Sequence, residues 1–285
     1  MKSLRVQTPA KVNLFLRVLG RRSDGYHDLE TLFQAVNVYD ELIVEESRSE
    51  PALDVPDHPE LESNENLVMR ALRWIEARTG RNLRVRFRLV KRIPVAGGLG
   101  GGSSDAAAAL RGVSRLFDLG LSDDELAEGA LGLGADVPFF LMGGTAVGEG
   151  VGERLSPVNL PLDYDLILVN PGFSVSTASI FREFSKNLTG NVREGRLWMS
   201  IREGRSVEEL LENDLQQVAE SVHPDIRSAR EVMERAGLRQ TLMSGSGPTL
   251  FALVRNQLPE ALVKKLPPRW RIFPARPIAS GMIID

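Results

Sequence analysis

Residues 94–110, PVAGGLGGGSSDAAAAL, constrain the fold more than any other stretch of the chain. Glycine occupies positions 97, 98, 100, 101 and 102, and Ser103, Ser104, Asp105 and four alanines follow before Leu110. Glycine lets backbone adopt positive φ and approach a ligand closely, Ser and Asp suit a helix start, and Ala is the best helix former. The pattern therefore predicts a glycine loop opening directly into a helix. Unpaired N–H groups at such a start, added to those of the loop, attract an anion, and phosphate is the default ligand.

Two common phosphate loops do not fit. A P-loop needs Lys and then Ser or Thr after its last Gly, but Gly102 is followed by Ser103. The G-x-G-x-x-G fingerprint also fails, because no Gly of the run has partners at both offsets. A flexible linker is the plain alternative. Linkers, however, are not framed by an alternating strand and an Ala-rich helix.

The remaining composition narrows the class. At 285 residues the chain suits one large or two ordinary domains. A net charge of −3 argues against a general nucleic-acid or membrane-surface binder. With no cysteine, disulfides and thiolate metal sites are excluded, and His27, His58 and His223 are too scattered to suggest zinc. No apolar run approaches the ~20 residues of a membrane span. The expectation is a soluble, cytoplasmic protein.

Residues 5–19 alternate after Pro9, with Val12, Leu14, Leu16 and Val18 on one face and Lys11, Asn13, Phe15 and Arg17 on the other. Lys11 and Asn13 thus share a face two residues apart. A solvent-facing Lys is the ordinary case, but an Asn beside it weakens the strand, which favours a functional reason. Asp24-Gly25 signals a reversal, after which Tyr26 and His27 can be presented to a ligand or packed at the core edge. Strand-like segments follow at 32–38 and 41–46, then a polar, Pro-containing stretch over 47–63 that reads as an exposed loop.

Leu67, Ala71, Trp74 and Ile75 predict a helix over 64–78 that stops at Gly80. Residues 84–93 alternate, with Val85, Phe87 and Leu89 inward and Arg84, Arg86 and Arg88 outward on a solvated face. Ser122 and Glu125 predict a capping box for a helix over 122–131. Asp136, two residues before Pro138, reads either as the N-cap of a short VPFFL helix or as a carboxylate offered to a substrate, and one residue can do both. Residues 145–155 form a hairpin, and 156–163, with Pro157 and Pro161, mark a domain boundary. Beyond it come a strand at 166–169, helices at 175–184, 207–221 and 224–236, and a Gly-Ser turn between strands within 242–254. A polar stretch that reads as mobile spans 186–205, a helix lies near 259–265 and a strand near 271–274. The second half therefore mixes strands and helices in a split βαβ manner.

Three separated stretches, PAKVN at 9–13, PVAGGLGGGSS at 94–104 and SGSGPT at 244–249, resemble the GHMP small-molecule kinases. RRSDGYHDLETLFQ at 21–34, ENLV at 65–68 and GADVPFF at 134–140 are similar to the branch whose acceptor is a cytidyl diphosphate sugar alcohol. The resemblance implies an α+β fold of two domains: a ribosomal-protein-S5-like domain over 1–156 and a ferredoxin-like domain over 157–285. It also implies that ATP with Mg2+ is the phosphoryl donor and the sugar alcohol the small-molecule acceptor. No nucleic acid or membrane partner is expected, and the chain would act as a monomer or weak homodimer.

Residue by residue, the resemblance makes Asp136 the catalytic aspartate and Lys11 the lysine beside it. ATP would be held by Pro94, Val95, Ala96, Gly97, Gly98, Leu99, Gly100, Gly101, Gly102, Ser103 and Ser104, with Asn66 and Lys91 near adenine. Substrate contacts would be Asn13, Tyr26 stacking on cytosine, His27 at its edge, Phe181 on the other side of the base, and Thr177. Metal ligands are unassigned, although Ser103 or Ser104 is placed to meet Mg2+. Asp105 is left without a role, since a carboxylate near phosphates repels them unless Mg2+ or a lysine intervenes.

The physics suits these roles. A loose, in-line phosphoryl transfer asks the protein mainly to position groups and neutralise charge. An opposite charge within ~4–6 Å, as Lys11 would offer Asp136, keeps a carboxylate ionised. Homoserine or mevalonate kinases are rivals of the same fold, but their acceptors carry no base for Tyr26 and His27. A nucleotide-binding protein without catalysis is the rival of another class. Serine hydrolysis is set aside because neither Ser104 nor Ser246 stands in a G-x-S-x-G elbow.

Overall fold

Strands β1 (Ser3–Arg21) and β2 (His27–Glu46) form a long antiparallel hairpin, and much of the molecule is assembled on it. The computed structural model describes residues 2–186, 195–255 and 266–285. Next come β3 (Ala52–Asp54), α1 (Leu67–Thr79), β4 (Val85–Val90), α2 (Gly101–Leu116), α3 (Asp123–Leu133), α4 (Val137–Met142), β5 (Thr145–Gly150) and β6 (Arg154–Pro157). The second half holds β7 (Asp165–Asn170), α5 (Thr177–Lys186), α6 (Leu197–Arg202), α7 (Val207–Leu210), β8 (Glu212–Asn213), α8 (Gln216–Val222) and α9 (Pro224–Arg235). It ends with β9 (Leu242–Met243), β10 (Leu250–Val254), β11 (Arg271–Ala275) and β12 (Ile283–Ile284).

Two sheets result. The larger runs β12-β1-β2-β4-β3, with β5 added to β2, β6 to β5, and β8 beside β1. The smaller is antiparallel, ordered β11-β7-β10-β9. β2 changes partner along its length: Leu29–Gln34 faces β5, and Glu41–Glu46 faces β4. One buried cluster packs α1–α4 on the larger sheet, a second packs α5, α8 and α9 on the smaller, and a third joins the two sheets through Val12, Leu14, Leu168 and Phe251. The chain also crosses the boundary expected at 156/157 twice more, because β8 and β12 return to the larger sheet.

Local expectations meet the structure unevenly. Asn66 caps α1 by accepting the Val68 N–H, Gly80 closes it in the left-handed region, and Ser122 with Glu125 makes a complete capping box on α3. β1, by contrast, does not alternate between core and solvent. Its pairing with β2 shifts between Asn13 and Phe15, so Leu14 and Phe15 enter the same core, and residues 8–16 are all buried. The stretch 47–63 is not wholly a loop, since β3 and a short 3-10 turn at Pro59–Leu61 lie in it. The helix expected over 207–221 is broken into α7, β8 and α8. The break centres on Asn213, whose Nδ2 donates to the carbonyls of Met243 and Gly245 and whose Oδ1 accepts the Leu215 N–H. The helix near 259–265, and residues 187–194 of the stretch read as mobile, lie outside the described residues.

Candidate active site

The glycine run enters α2 earlier than its Ser and Asp residues suggest. α2 starts at Gly101, and Gly100 occupies the N-cap position in the left-handed region at φ 72°, without a side-chain cap. Ser104 N–H makes the helical bond to Gly100 O, so the N–H groups of the first helical residues carry no intrahelical partner. Glycine is required twice here. A Cβ on Gly98, at φ +78°, would lie 2.3 Å from Ser244 O, and one on Gly100 would lie 2.7 Å from the Phe140 ring.

The SGSGPT turn braces this loop from the other sheet. Ser244 Oγ donates to Gly98 O at 3.0 Å, and Thr249 N–H donates to Gly97 O at 3.2 Å. Thr249 Oγ1 in turn accepts from Asn170 Nδ2 at 2.9 Å. β1 is tied to the loop directly, through Lys11 N–H donating to Leu99 O at 2.9 Å.

Lys11 and Asn13 are buried on β1, although their face of the strand meets a cavity instead of solvent. Lys11 Nζ donates to Asn13 Oδ1 at 2.6 Å, lies 3.4 Å from Asp136 Oδ2, and sits 5.4 Å from the Phe33 ring centroid. Asn13 Nδ2 donates to Thr31 Oγ1 at 2.8 Å, and Thr31 donates on to Phe15 O, which fixes the amide. Asp136 holds the N-cap position of α4 but makes no capping hydrogen bond, so its carboxylate, one-third exposed, remains turned to Lys11. Phe139 and Phe140 anchor it from below: both are fully buried, Phe139 against Phe33 and Phe140 against Gly100.

A single cavity of about 1360 Å³ collects these parts. Of the residues expected at the nucleotide, Pro94, Val95, Ala96, Gly97, Gly98, Gly100, Gly101, Gly102, Ser103, Asn66 and Lys91 line it. Leu99 and Ser104 do not: Leu99 is in the core between the sheets, and Ser104 is fully buried behind the helix start. Lys91 gives its ammonium to Asp40 and Asp105, and Asn66 spends its amide on its own helix cap and on Leu61 O. Lys11, Asn13, Asp136, Tyr26, His27, Thr177 and Phe181 also line the cavity.

At the far end Tyr26 stands 65% exposed on the Asp24–Gly25 turn, its N–H donating to Asp24 Oδ1. The His27 and Phe181 rings lie 5.1 Å apart. Ser185 Oγ donates to Phe181 O and lies 2.7 Å from His27 Nε2, so Nε2 carries the hydrogen and Nδ1 is left an acceptor. Burial, and next the Arg21 charge, push His27 below the usual histidine range, which keeps the ring neutral. Sequence reasoning had missed Gly245, Ser246 and Ser185 as lining residues. The SGSGPT turn pointed to the first two, and Ser246 Oγ pairs with Thr177 Oγ1 at 2.8 Å. Nothing in the sequence around Ser185 marks it.

Such a site, with a glycine loop entering a helix, a buried Lys–Asp pair and a bracing turn from a second sheet, is that of a small-molecule kinase. Residues 66–144 match the GHMP kinases N terminal domain, and residues 200–271 match the GHMP kinases C terminal domain. A 4-diphosphocytidyl-2-C-methyl-D-erythritol kinase from Syntrophus aciditrophicus (strain SB) is 40% identical over 96% of this chain and 99% of its own. One from Geobacter metallireducens is 41% identical over 90% of this chain and 91% of its own. A crystal structure of 4-(cytidine 5'-diphospho)-2C-methyl-D-erythritol kinase superposes with a TM-score of 0.78 at 35% identity, covering 97% of this chain and 100% of that one. A homoserine kinase from Cytophaga hutchinsonii shares the fold with a TM-score of 0.73 at 19% identity. The chain belongs to the GHMP kinases and, among them, to the 4-diphosphocytidyl-2-C-methyl-D-erythritol kinase family. No helix among the described residues is long and apolar enough to cross a membrane.

Proposed function

We propose that the protein transfers the γ-phosphoryl group of ATP to the 2-hydroxyl of 4-diphosphocytidyl-2-C-methyl-D-erythritol, in the non-mevalonate route to isoprenoid precursors. The observation that carries this reading is the Lys11–Asp136 pair at 3.4 Å, in one cavity with the glycine loop and the Tyr26, His27 and Phe181 rings. The loop and the first N–H groups of α2 hold the donor's phosphates. Asp136 accepts the proton of the attacking hydroxyl as its oxygen bonds to phosphorus and the bond to the ADP oxygen breaks. General-base assistance of this kind contributes about 10²–10⁴-fold. Lys11, steadied by Asn13, offsets negative charge on the attacking oxygen and the transferring group. Cytosine stacks between Tyr26 and Phe181, and His27 supplies an acceptor to its amino edge.

Mg2+ bound with the nucleotide would meet the Ser103 hydroxyl, which lines the cavity at the helix start, whereas Ser104 is buried away from the cavity. No group of three or more His, Cys, Asp or Glu among the described residues forms a cage. A cation bound with the nucleotide would be held largely by its phosphates, whose charge it would neutralise.

The test is ADP release from Mg·ATP by wild type and Asp136→Asn with the cytidyl diphosphate alcohol, homoserine, mevalonate or galactose as acceptor. Turnover with the cytidyl compound alone, lowered about 10²–10⁴-fold in Asp136→Asn, is expected. Turnover with another acceptor would discard the cytosine pocket, and wild-type rates from the variant would discard the base.

A further inference from the structure

Where β4 hands the chain to the glycine loop, three charged side chains meet beyond the reach of solvent. Lys91 Nζ lies 2.5 Å from Asp40 Oδ2 and 2.7 Å from Asp105 Oδ2, with side-chain exposures of 4%, 0% and 3% for the lysine and the two carboxylates. The other oxygen of Asp40 accepts the N–H groups of Arg92 at 2.5 Å and Ile93 at 2.8 Å. The other oxygen of Asp105 accepts from Thr8 Oγ1 at 2.9 Å. Every carboxylate oxygen of the cluster therefore has a donor. Fully paired buried ions still add little to stability compared with apolar side chains of similar volume, so stability explains the cluster poorly.

Its place in the chain explains it better. Residues 91–93 are the last before the loop begins at Pro94, and Asp105 belongs to the helix that leaves the loop. Asp40 pins the entering arm to β2, Asp105 pins the leaving arm to β1 through Thr8, and Lys91 joins the two carboxylates. The lysine also lies near the helix start, where a Cβ built on Gly101 would stand 3.1 Å from its Nζ. Lys91 and Asp105 both line the cavity. Burial alone would lower Lys91, but the two carboxylates outweigh it and hold the ammonium above the usual lysine range. The positive charge thus stays in place beneath a loop that must receive an anion.

We propose that Asp40, Lys91 and Asp105 are positioning residues for the phosphoryl donor: they set the two arms of the glycine loop so that its N–H groups converge on the polyphosphate. They act through the loop and touch none of the reacting atoms. This assigns Asp105 a role and rests on reading the loop as the ATP-phosphate site. It also separates Lys91 from a direct contact with adenine, since a contact of that kind would serve adenosine as well as ATP.

The experiment is calorimetric titration of the full chain with ATP, ADP and adenosine, paired with steady-state kinetics on the same variants. Asp105→Ala is expected to weaken ATP and ADP about tenfold or more and adenosine less than about twofold. It should raise KM for ATP while leaving saturated kcat and the acceptor KM near wild type. Asp105→Asn, which keeps one of the two bonds, should recover part of the loss. Should Asp105→Ala not fold, Lys91→Met/Asp105→Asn gives the same reading, because it leaves Asp40 with both backbone donors. Unchanged ATP affinity in these variants, or an equal loss for adenosine, overturns the proposal and leaves the ATP site standing. No ATP binding by wild type overturns the loop reading itself.

Discussion

At the glycine loop the cavity wall is backbone, held from behind by buried polar side chains. At Tyr26 it is side chain, carried on a surface turn. The loop is fixed by Ser244, Thr249 and the Asp40–Lys91–Asp105 cluster, drawn from both sheets. Tyr26 relies on the Asp24 turn, and His27 and Phe181 meet through Ser185. The difference fits the ligands proposed for the two ends. A polyphosphate is recognised by converging N–H groups, which must be placed before it arrives. A base is recognised by aromatic faces, which tolerate adjustment because stacking is broad in angle.

The largest effect that tests this contrast is expected from Gly98→Ala. The new Cβ would lie 2.3 Å from a backbone oxygen in a left-handed conformation. Backbone conformation alone costs about 1–3 kcal/mol, and the contact adds to it. Thermal denaturation should show a lower Tm, and ATP titration a weaker complex, with acceptor binding kept in the folded fraction. An unchanged ATP KM would mean the loop is as adjustable as the aromatic end.

Tyr26→Ala should do less, and at the other end. Losing one stacking face costs about 1–3 kcal/mol of binding, so the acceptor KM should rise about tenfold. Tm should stay near wild type, because Tyr26 is 65% exposed and surface substitutions usually matter little. A fall in Tm as large as that of Gly98→Ala would erase the distinction between the two ends.

The same contrast decides what the sequence reveals. The loop was legible because glycine and alanine leave few backbone choices, and the capping box on α3 and the Gly80 stop were legible because their chemistry is local. Asp136 was legible as a residue of two roles, and the structure leaves it with its Lys11 partner and without the cap bond. What could not be read depends on distant partners. For Lys91 the sequence showed only a candidate nucleotide contact, and its ion pairs with Asp40, from another strand, and Asp105 were not legible. The broken helix at Asn213 is set by carbonyls thirty residues onward in the chain, and the surroundings of the Lys11 ammonium by Phe33 and Asp136 from other elements.

The smallest effect is expected from pH, and its sign differs between the ends. His27 is held below its ordinary value, first by burial and then by Arg21. Its contribution to folding is therefore fully present above an unfolded pKa of about 6.5 and is lost as pH falls through the lower folded value. Protonation also turns Nδ1 from acceptor to donor, so the acceptor KM should be flat above about 6.5 and rise below it. Asp105 behaves oppositely. Burial pushes it up to about 6, Lys91 opposing and Asp40 adding, with Thr8 its remaining partner. Its proton-bound form is favoured in the folded state, so that part of the stability is present below the unfolded carboxylate value and lost as pH rises through about 6. Asp105→Asn, which cannot ionise, should flatten this fall in stability. Thermal denaturation of wild type and Asp105→Asn from pH 5 to about 8 reads it, and acceptor KM values over the same range read His27. A Tm that falls as pH rises through about 6 in wild type, and not in Asp105→Asn, keeps the two ends distinct. A fall that survives in Asp105→Asn would show that another titration governs the loop.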